Sequence, residues 1–332
     1  MAPTPKTTNR PVTNRPKPTT TTASKKADDD DDDDDDDEET KVKEVKKPVR
    51  PATFAISTPQ TRERYLKLLC YGAYGVGKTY LAGTAVGVKA MNDVLLIDAE
   101  SGDLTLEDAK GKAAFKFGDI DSIQITNYKQ LARVQEYLRV HCTLRDEGGA
   151  EAMKKLADKE SELKGIKIKK PKLYRTVIID SLTEVETYCM YQLLGIGGDT
   201  KLDEEVATPE WTEYKRNHSM VQRMVRSFRD LPMHIIMTCA QQYSQDEQKR
   251  FNYTPALTGK LASQIQGFMD MVGYLQMGTV KEDGTMPRRL HVQPTGRFAA
   301  KCRFSSFKGS YFDDPTIESI LEAIDLQPGK AV

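Results

Sequence analysis

The chain has 332 residues, 38% hydrophobic and 30% charged, with Lys+Arg and Asp+Glu balanced at 49 each. That length holds one or two domains. No stretch is long and apolar enough to cross a membrane, the N-terminus lacks the apolar segment of a secretory signal, and five scattered cysteines (70, 142, 189, 239 and 302) without a C-x-x-C pair argue against a disulfide framework and for a reducing, cytoplasmic compartment.

The charge balance hides an asymmetry. Residues 28–39 are an unbroken acidic run, and without it the remainder is clearly basic. Residues 1–52, rich in Pro, Thr, Lys and Arg before that run, bury too little apolar surface to offset their ordering entropy and are expected to be disordered. Such a tail either docks a basic partner, competes with DNA for a basic groove, or serves as a solvated, solubilising segment. The four histidines (141, 218, 234, 291) have no metal-ligand spacing.

A folded domain is expected over 53–326, with 327–332 as a short tail. Phe54–Ser57 reads as an edge strand and Tyr65–Tyr71 as a buried one. Next comes Gly72-Ala73-Tyr74-Gly75-Val76-Gly77-Lys78-Thr79, which fits G-x-x-x-x-G-K-[ST] at every fixed position. Glycines let the backbone curl so that its N–H groups face phosphate oxygens. Lys78 reaches the β- and γ-phosphates, and the Thr79 hydroxyl binds Mg²⁺. A helix expected over Thr79–Lys89 adds its positive N-terminal end and brings Tyr80 beside the phosphates. ATP with Mg²⁺ is the cofactor this loop implies.

Val94–Asp98 is a second buried strand, ending in Ala99-Glu100, and Ile123–Ile125 a third. Asn127 is placed to cap a helix over Tyr128–Cys142, with Leu131, Val134 and Leu138 on one face. The Lys- and Glu-rich stretch 145–172 reads as a surface insertion with a short helix. Tyr174–Asp180 is an apolar strand ending in Asp180-Ser181, the Walker B pattern whose carboxylate holds the Mg²⁺ shell. A helix over Leu182–Leu194 follows, then a polar loop, 195–207. Thr208-Pro209 reads as an N-cap with Pro at N1 for a helix to Asp230. Met233–Thr238 is a buried strand leading to Gln241, and Tyr243–Thr258 is a polar segment carrying Lys249, Arg250, Phe251 and Tyr253. A helix over Leu261–Phe268, a strand over Met269–Met277, a hairpin over 288–304 turning at Pro294–Gly296, and a helix over Thr316–Ile324 complete the pattern. Strands alternating with helices predict an α/β fold of the P-loop NTPase type, a mostly parallel sheet with helices on both faces and an antiparallel edge.

The stretch Gly72–Leu104 resembles the RecA recombinase core. More broadly, residues 60–325 are similar to phage-encoded RecA-like nucleotide-binding proteins, some of which anneal single strands. The likeness rests on the P-loop, Ile179-Asp180-Ser181, the helix bearing Trp211 and Tyr214, the Leu231-Pro232 break and the Gly259–Tyr274 segment. The resemblance implies that Glu100 is the general base for the attacking water, the alternative being a plain loop carboxylate. It implies that Gln241, or the adjacent Gln242, senses the γ-phosphate. Lys301-Cys302-Arg303-Phe304 is similar to the Lys-Asn-Arg-Phe-Gly motif of RadA and to the Lys-x-Arg fingers of DnaB-type helicases, which implies that Lys301 and Arg303 act on a neighbouring subunit's nucleotide; Cys302 and Ser305 depart from RadA, and a basic surface strand is the alternative. Tyr243–Thr258 is similar to the second DNA loop of RecA, which implies that Lys249 and Arg250 neutralise phosphates and that Phe251, Tyr253 or Tyr243 stacks on bases. The implied protein is a DNA-dependent ATPase in the host cytoplasm, working as a ring or filament on single-stranded DNA. The rival expectation is a nucleotide-dependent mediator or loader with little hydrolysis, docking a replication or recombination partner through the acidic tail.

Overall fold

The computed structural model describes residues 64–107, 115–147, 151, 154–155, 172–245, 247–280, 282 and 284–327. The N-terminal tail, the expected strand at Phe54–Ser57, most of the 145–172 insertion and residues 328–332 lie outside the described residues.

The parallel strands are β1 (Lys67–Gly72), β2 (Val94–Asp98), β3 (Asp121–Gln124), β4 (Thr176–Asp180), β5 (His234–Gln245) and β7 (Met271–Met277), joined in the order β7-β1-β5-β4-β2-β3. Strand β6 (Phe251–Pro255) pairs antiparallel with the distal half of β5. Strands β8 (Arg288–His291), β9 (Lys301–Cys302) and β10 (Tyr311–Asp313) form the antiparallel edge.

Every residue of β1, β2 and β4 is buried, as a parallel sheet covered on both sides requires. Alternation along β1 divides its side chains between two cores. Leu69 and Tyr71 face one, with α2 (Tyr128–Glu147), α3 (Leu182–Leu193), α4 (Trp211–Arg229) and α5 (Leu261–Phe268). Leu68 and Cys70 face the other, with α1 (Lys78–Gly83) and α6 (Ile317–Ala323). Asn127 caps α2 as expected, its Oδ1 accepting from the Gln130 amide at 3.0 Å, and Leu131, Val134 and Leu138 are buried. The described cysteines are all free thiols.

Four local expectations change. The helix after the P-loop is short: α1 ends at Gly83 and gives way to 3₁₀ turns at Thr84–Gly87 and Lys89–Met91. The β-branched, glycine-bearing run Thr84–Val88 disfavours further α-helix. Helix α4 starts at Trp211, where the Glu210 amide donates to Glu213 Oε2 at 3.0 Å, instead of at Pro209. The polar segment after Thr238 is a β-ribbon: β5 runs on to Gln245 and β6 returns, with Tyr243 opposite Tyr253. Cross-strand aromatic pairing stabilises such a ribbon. Finally, 288–304 is not a hairpin, because β8 and β9 lie in series along the same edge of β7. The turn expected near Gly296 is present, closed by a Thr295–Phe298 bridge.

Candidate functional site

The register of the parallel strands assembles the site. Gly72 lies opposite Ala240, Ile179 opposite Met237 and Asp98 opposite Asp180. The carboxyl ends of β1, β5, β4 and β2 therefore meet at one edge of the sheet, where open α/β folds bind ligands.

Gly72–Thr79 links β1 to α1. Gly75 (φ +72°) and Gly77 (φ +96°) are left-handed, a conformation that glycine alone adopts without strain. Ala73, Tyr74 and Gly75 are exposed, while Val76 and Lys78 are buried. The Lys78 ammonium donates to the carbonyls of Gly72 (3.2 Å) and Ala73 (2.9 Å) and lies 5.6 Å from the Tyr74 ring centroid. Neutral carbonyls are weaker partners for it than a phosphate oxygen. Tyr80, half-buried, packs edge-on against Phe117 at 5.5 Å.

Asp180 is buried and doubly held. Its Oδ2 accepts from Thr79 Oγ1 at 2.6 Å, and its Oδ1 accepts from Thr238 Oγ1. The oxygen pair from Thr79 and Asp180 fits Mg²⁺, a hard cation that takes one or two protein oxygens and completes its shell with phosphate and water. Among the described residues no cluster of three or more His, Cys, Asp or Glu side chains suits a metal by itself. The P-loop would hold the phosphates of ATP, and Thr79 and Asp180 the Mg²⁺ that neutralises charge on them.

Glu100 follows β2 into the same edge. Its Oε1 accepts from Ser181 Oγ, next to Asp180. Partial burial pushes its carboxyl above the usual glutamate range, and the Asp180 charge adds to this against the Ser181 hydroxyl and the Lys78 cation. The backbone leading to it is fixed from two sides, because the Ala99 amide donates to the Asp180 carbonyl at 2.6 Å and Tyr188 Oη donates to the Ala99 carbonyl at 2.9 Å. Asp98 secures the turn, its Oδ1 accepting from the amides of Glu100 (3.1 Å) and Gly102 (3.2 Å). A raised carboxylate at the phosphate end of the sheet has the chemistry of a base for water.

Gln241 and its neighbour are distinguished by their partners. Gln242 Nε2 donates to the Leu257 carbonyl at 3.0 Å, whereas Gln241 Oε1 is buried with no hydrogen-bond partner among the described residues. Gln241 sits one residue beyond the register position of Gly72.

Lys301 and Arg303 lie at the other end of the sheet. Cys302 pairs with Met271, the first residue of β7. Lys301 Nζ donates to the carbonyls of Gln266 (3.0 Å), Gly267 (3.3 Å) and Met269 (2.7 Å). Arg303 donates to the Gly267 carbonyl at 2.8 Å and pairs with Asp270 at 3.1 Å. Both cations thus cap the C-terminal end of α5 in their own chain, where carbonyls lack helical partners.

Lys249, Arg250, Phe251 and Tyr253 are on the β5–β6 ribbon and its turn. Lys249 is left-handed (φ +61°), and Arg250 donates to Gln248 Oε1 at 2.6 Å. Phe251 is 45% and Tyr243 65% exposed. Tyr253 joins these rings to the body: it lies 6.2 Å from Tyr243 and stacks on Tyr274 at 5.6 Å, while Tyr71 Oη donates to the Tyr253 carbonyl at 3.1 Å.

Three further residues belong to the site. Thr238 lies in the buried first part of β5 and Ser181 adjoins the Walker B aspartate; both were visible as residue types but not as partners. Arg288, whose Nε donates to the Val76 carbonyl at 3.1 Å, carried no sequence signal, being 212 positions away.

Among the described residues no helix is long and apolar enough to cross a membrane. No curated protein matches the sequence. Residues 64–304, well over half of the chain, match the family model described as the AAA domain. The chain belongs to the AAA domain family and is a P-loop NTPase.

Proposed function

We propose that this protein is an ATPase of the phage RecA-like kind that binds single-stranded DNA and promotes annealing or strand exchange in the host cytoplasm. One observation carries this reading: β5 is continuous from Thr238, which touches Asp180, through Gln241 to the exposed Tyr243. The strand that borders the phosphate site thus also builds the ribbon. Lys249 and Arg250 neutralise backbone phosphates at its turn, and Tyr243 and Phe251 offer faces for base stacking, worth about 1–3 kcal/mol per base. Glu100 serves as the base for water, and Gln241 relays nucleotide state along β5. Head-to-tail assembly into a ring or filament completes the proposal.

The test is ATP hydrolysis with and without single-stranded DNA, for the wild type and for Tyr243→Ala/Phe251→Ala. DNA should stimulate the wild type and leave the double variant at its basal rate. Stimulation that survives both substitutions would sink the ribbon as the DNA contact.

A second reading, a mediator or loader with little hydrolysis and a protein partner on the acidic run 28–39, draws support from Lys301 and Arg303. Their engagement with α5 opposes a role on a neighbour's nucleotide. In that reading Arg303→Ala leaves nucleotide turnover unchanged; a hydrolysis defect with ATP binding intact would restore the finger.

A further inference from the structure

The P-loop is braced from outside by a residue of the antiparallel edge. Arg288 opens β8, which lies along β7 with Arg288 opposite Met277. Its backbone is pinned to the next turn, since the Arg288 amide donates to Asp314 Oδ1 at 2.8 Å and the Asp314 amide returns a bond to the Arg288 carbonyl at 2.7 Å. The side chain then crosses to the P-loop. Its guanidinium lies 5.3 Å from the Tyr80 ring centroid, and its Nε donates to the Val76 carbonyl at 3.1 Å. Among the described residues no carboxylate forms an ion pair with it.

A peptide unit is planar and trans, so its C=O and N–H point in opposite directions. Holding the Val76 carbonyl toward Arg288 therefore turns the Gly77 N–H away from Arg288. Resting on the nucleotide-binding reading of this loop, we propose that Arg288 is a positioning residue that sets the Val76–Gly77 peptide so that the Gly77 N–H is presented to a nucleotide phosphate. The absence of a side chain at Gly77 serves this contact as well as its φ of +96°: a Cβ there would fall 2.6 Å from Arg288 Nε and 3.1 Å from its Cζ. A side chain at residue 77 would therefore displace the Arg288 guanidinium from this position. The position over the Tyr80 ring and the bond to the Val76 carbonyl remove freedom from the guanidinium, so the brace is in place before ligand arrives.

The experiment measures the affinities of ATP, ADP and adenosine for the full chain, as wild type, Arg288→Ala and Arg288→Lys, beside nucleotide-free unfolding midpoints. Arg288→Ala should weaken ATP and ADP by about tenfold, the effect of losing one well-aimed hydrogen bond to a charged group. Adenosine, which has no phosphate, should bind unchanged. Arg288→Lys, which keeps a donor but not the planar fork, should show only part of the loss. Unchanged ATP affinity in Arg288→Ala would overturn the proposal. So would equal weakening of adenosine, which would make Arg288 a platform for the base. If the wild type itself binds no ATP, the nucleotide reading fails and takes this inference with it; a binding wild type with an indifferent variant removes Arg288 alone.

Discussion

Thr238→Val isolates one atom of the Asp180 cluster. Thr238 is fully buried, and its hydroxyl donates to Asp180 Oδ1 while Thr79 serves Oδ2. Valine keeps the volume and the β-branched shape that the strand favours, so no cavity opens. What is lost is a donor to a buried, charged acceptor. Leaving such an acceptor unsatisfied costs about 1–3 kcal/mol, more than the bond's net worth in an exposed setting. For a domain of this size, a loss of about 2 kcal/mol lowers Tm by about 4–8 °C. Urea unfolding of the nucleotide-free chain reads this directly. Combining the substitution with Asp180→Asn tests the partner, because residues sharing one network couple by about 0.5–3 kcal/mol in a double-mutant cycle. Thr238→Ser, which keeps the hydroxyl, should lose less than Thr238→Val. A Val variant as stable as wild type, or a cycle that is additive within about 0.3 kcal/mol, would refute the view that Thr238 holds Asp180 in place.

Lys67 gives a prediction in pH. It is buried in β1, with Nζ donating to the carbonyls of Leu231 (2.8 Å) and Met233 (2.6 Å). Burial lowers its pKa from 10.5 to about 7, outweighing the raising effect of Asp270. The unfolded chain then binds the proton more tightly than the native one between those values. Stability contributed by Lys67 is full above 10.5, declines below it and is gone once pH falls through about 7. The stability difference between wild type and Lys67→Met should therefore shift in favour of wild type as pH rises above 7; a difference independent of pH would contradict the lowering of the Lys67 pKa by burial. Glu100→Gln should lower ATP turnover by about 10²–10⁴, the range of general-base catalysis, while ATP still binds. Because the Glu100 carboxyl is raised, wild-type turnover should fall on acidification at a pH above the ordinary glutamate range. Turnover in the Gln variant within a few-fold of wild type would remove Glu100 from the chemistry.

The sequence by itself carried the features that depend on neighbouring residues. The phosphate loop, strands β2 and β4 with their terminal aspartates, the Asn127 cap and the buried face of α2 follow from spacing, apolar runs and capping chemistry. The helix α5 was legible over its full length, Leu261–Phe268. Boundaries failed where local pattern was ambiguous: a polar aromatic stretch reads as loop until Tyr243 finds Tyr253 across the ribbon. Contacts were not legible where they depended on a distant partner. Lys301 and Arg303 carry a finger-like spacing, and only the tertiary structure shows both hydrogen-bonded to carbonyls at the end of α5. Thr238 reached Asp180 because parallel register set β5 beside β4. Arg288 reached Val76 because the antiparallel edge returned the chain to the P-loop after 212 residues. Periodicity and motif report contacts within a few residues along the chain, whereas strand order and register, fixed by burial of the whole sheet, decide which remote polar groups meet.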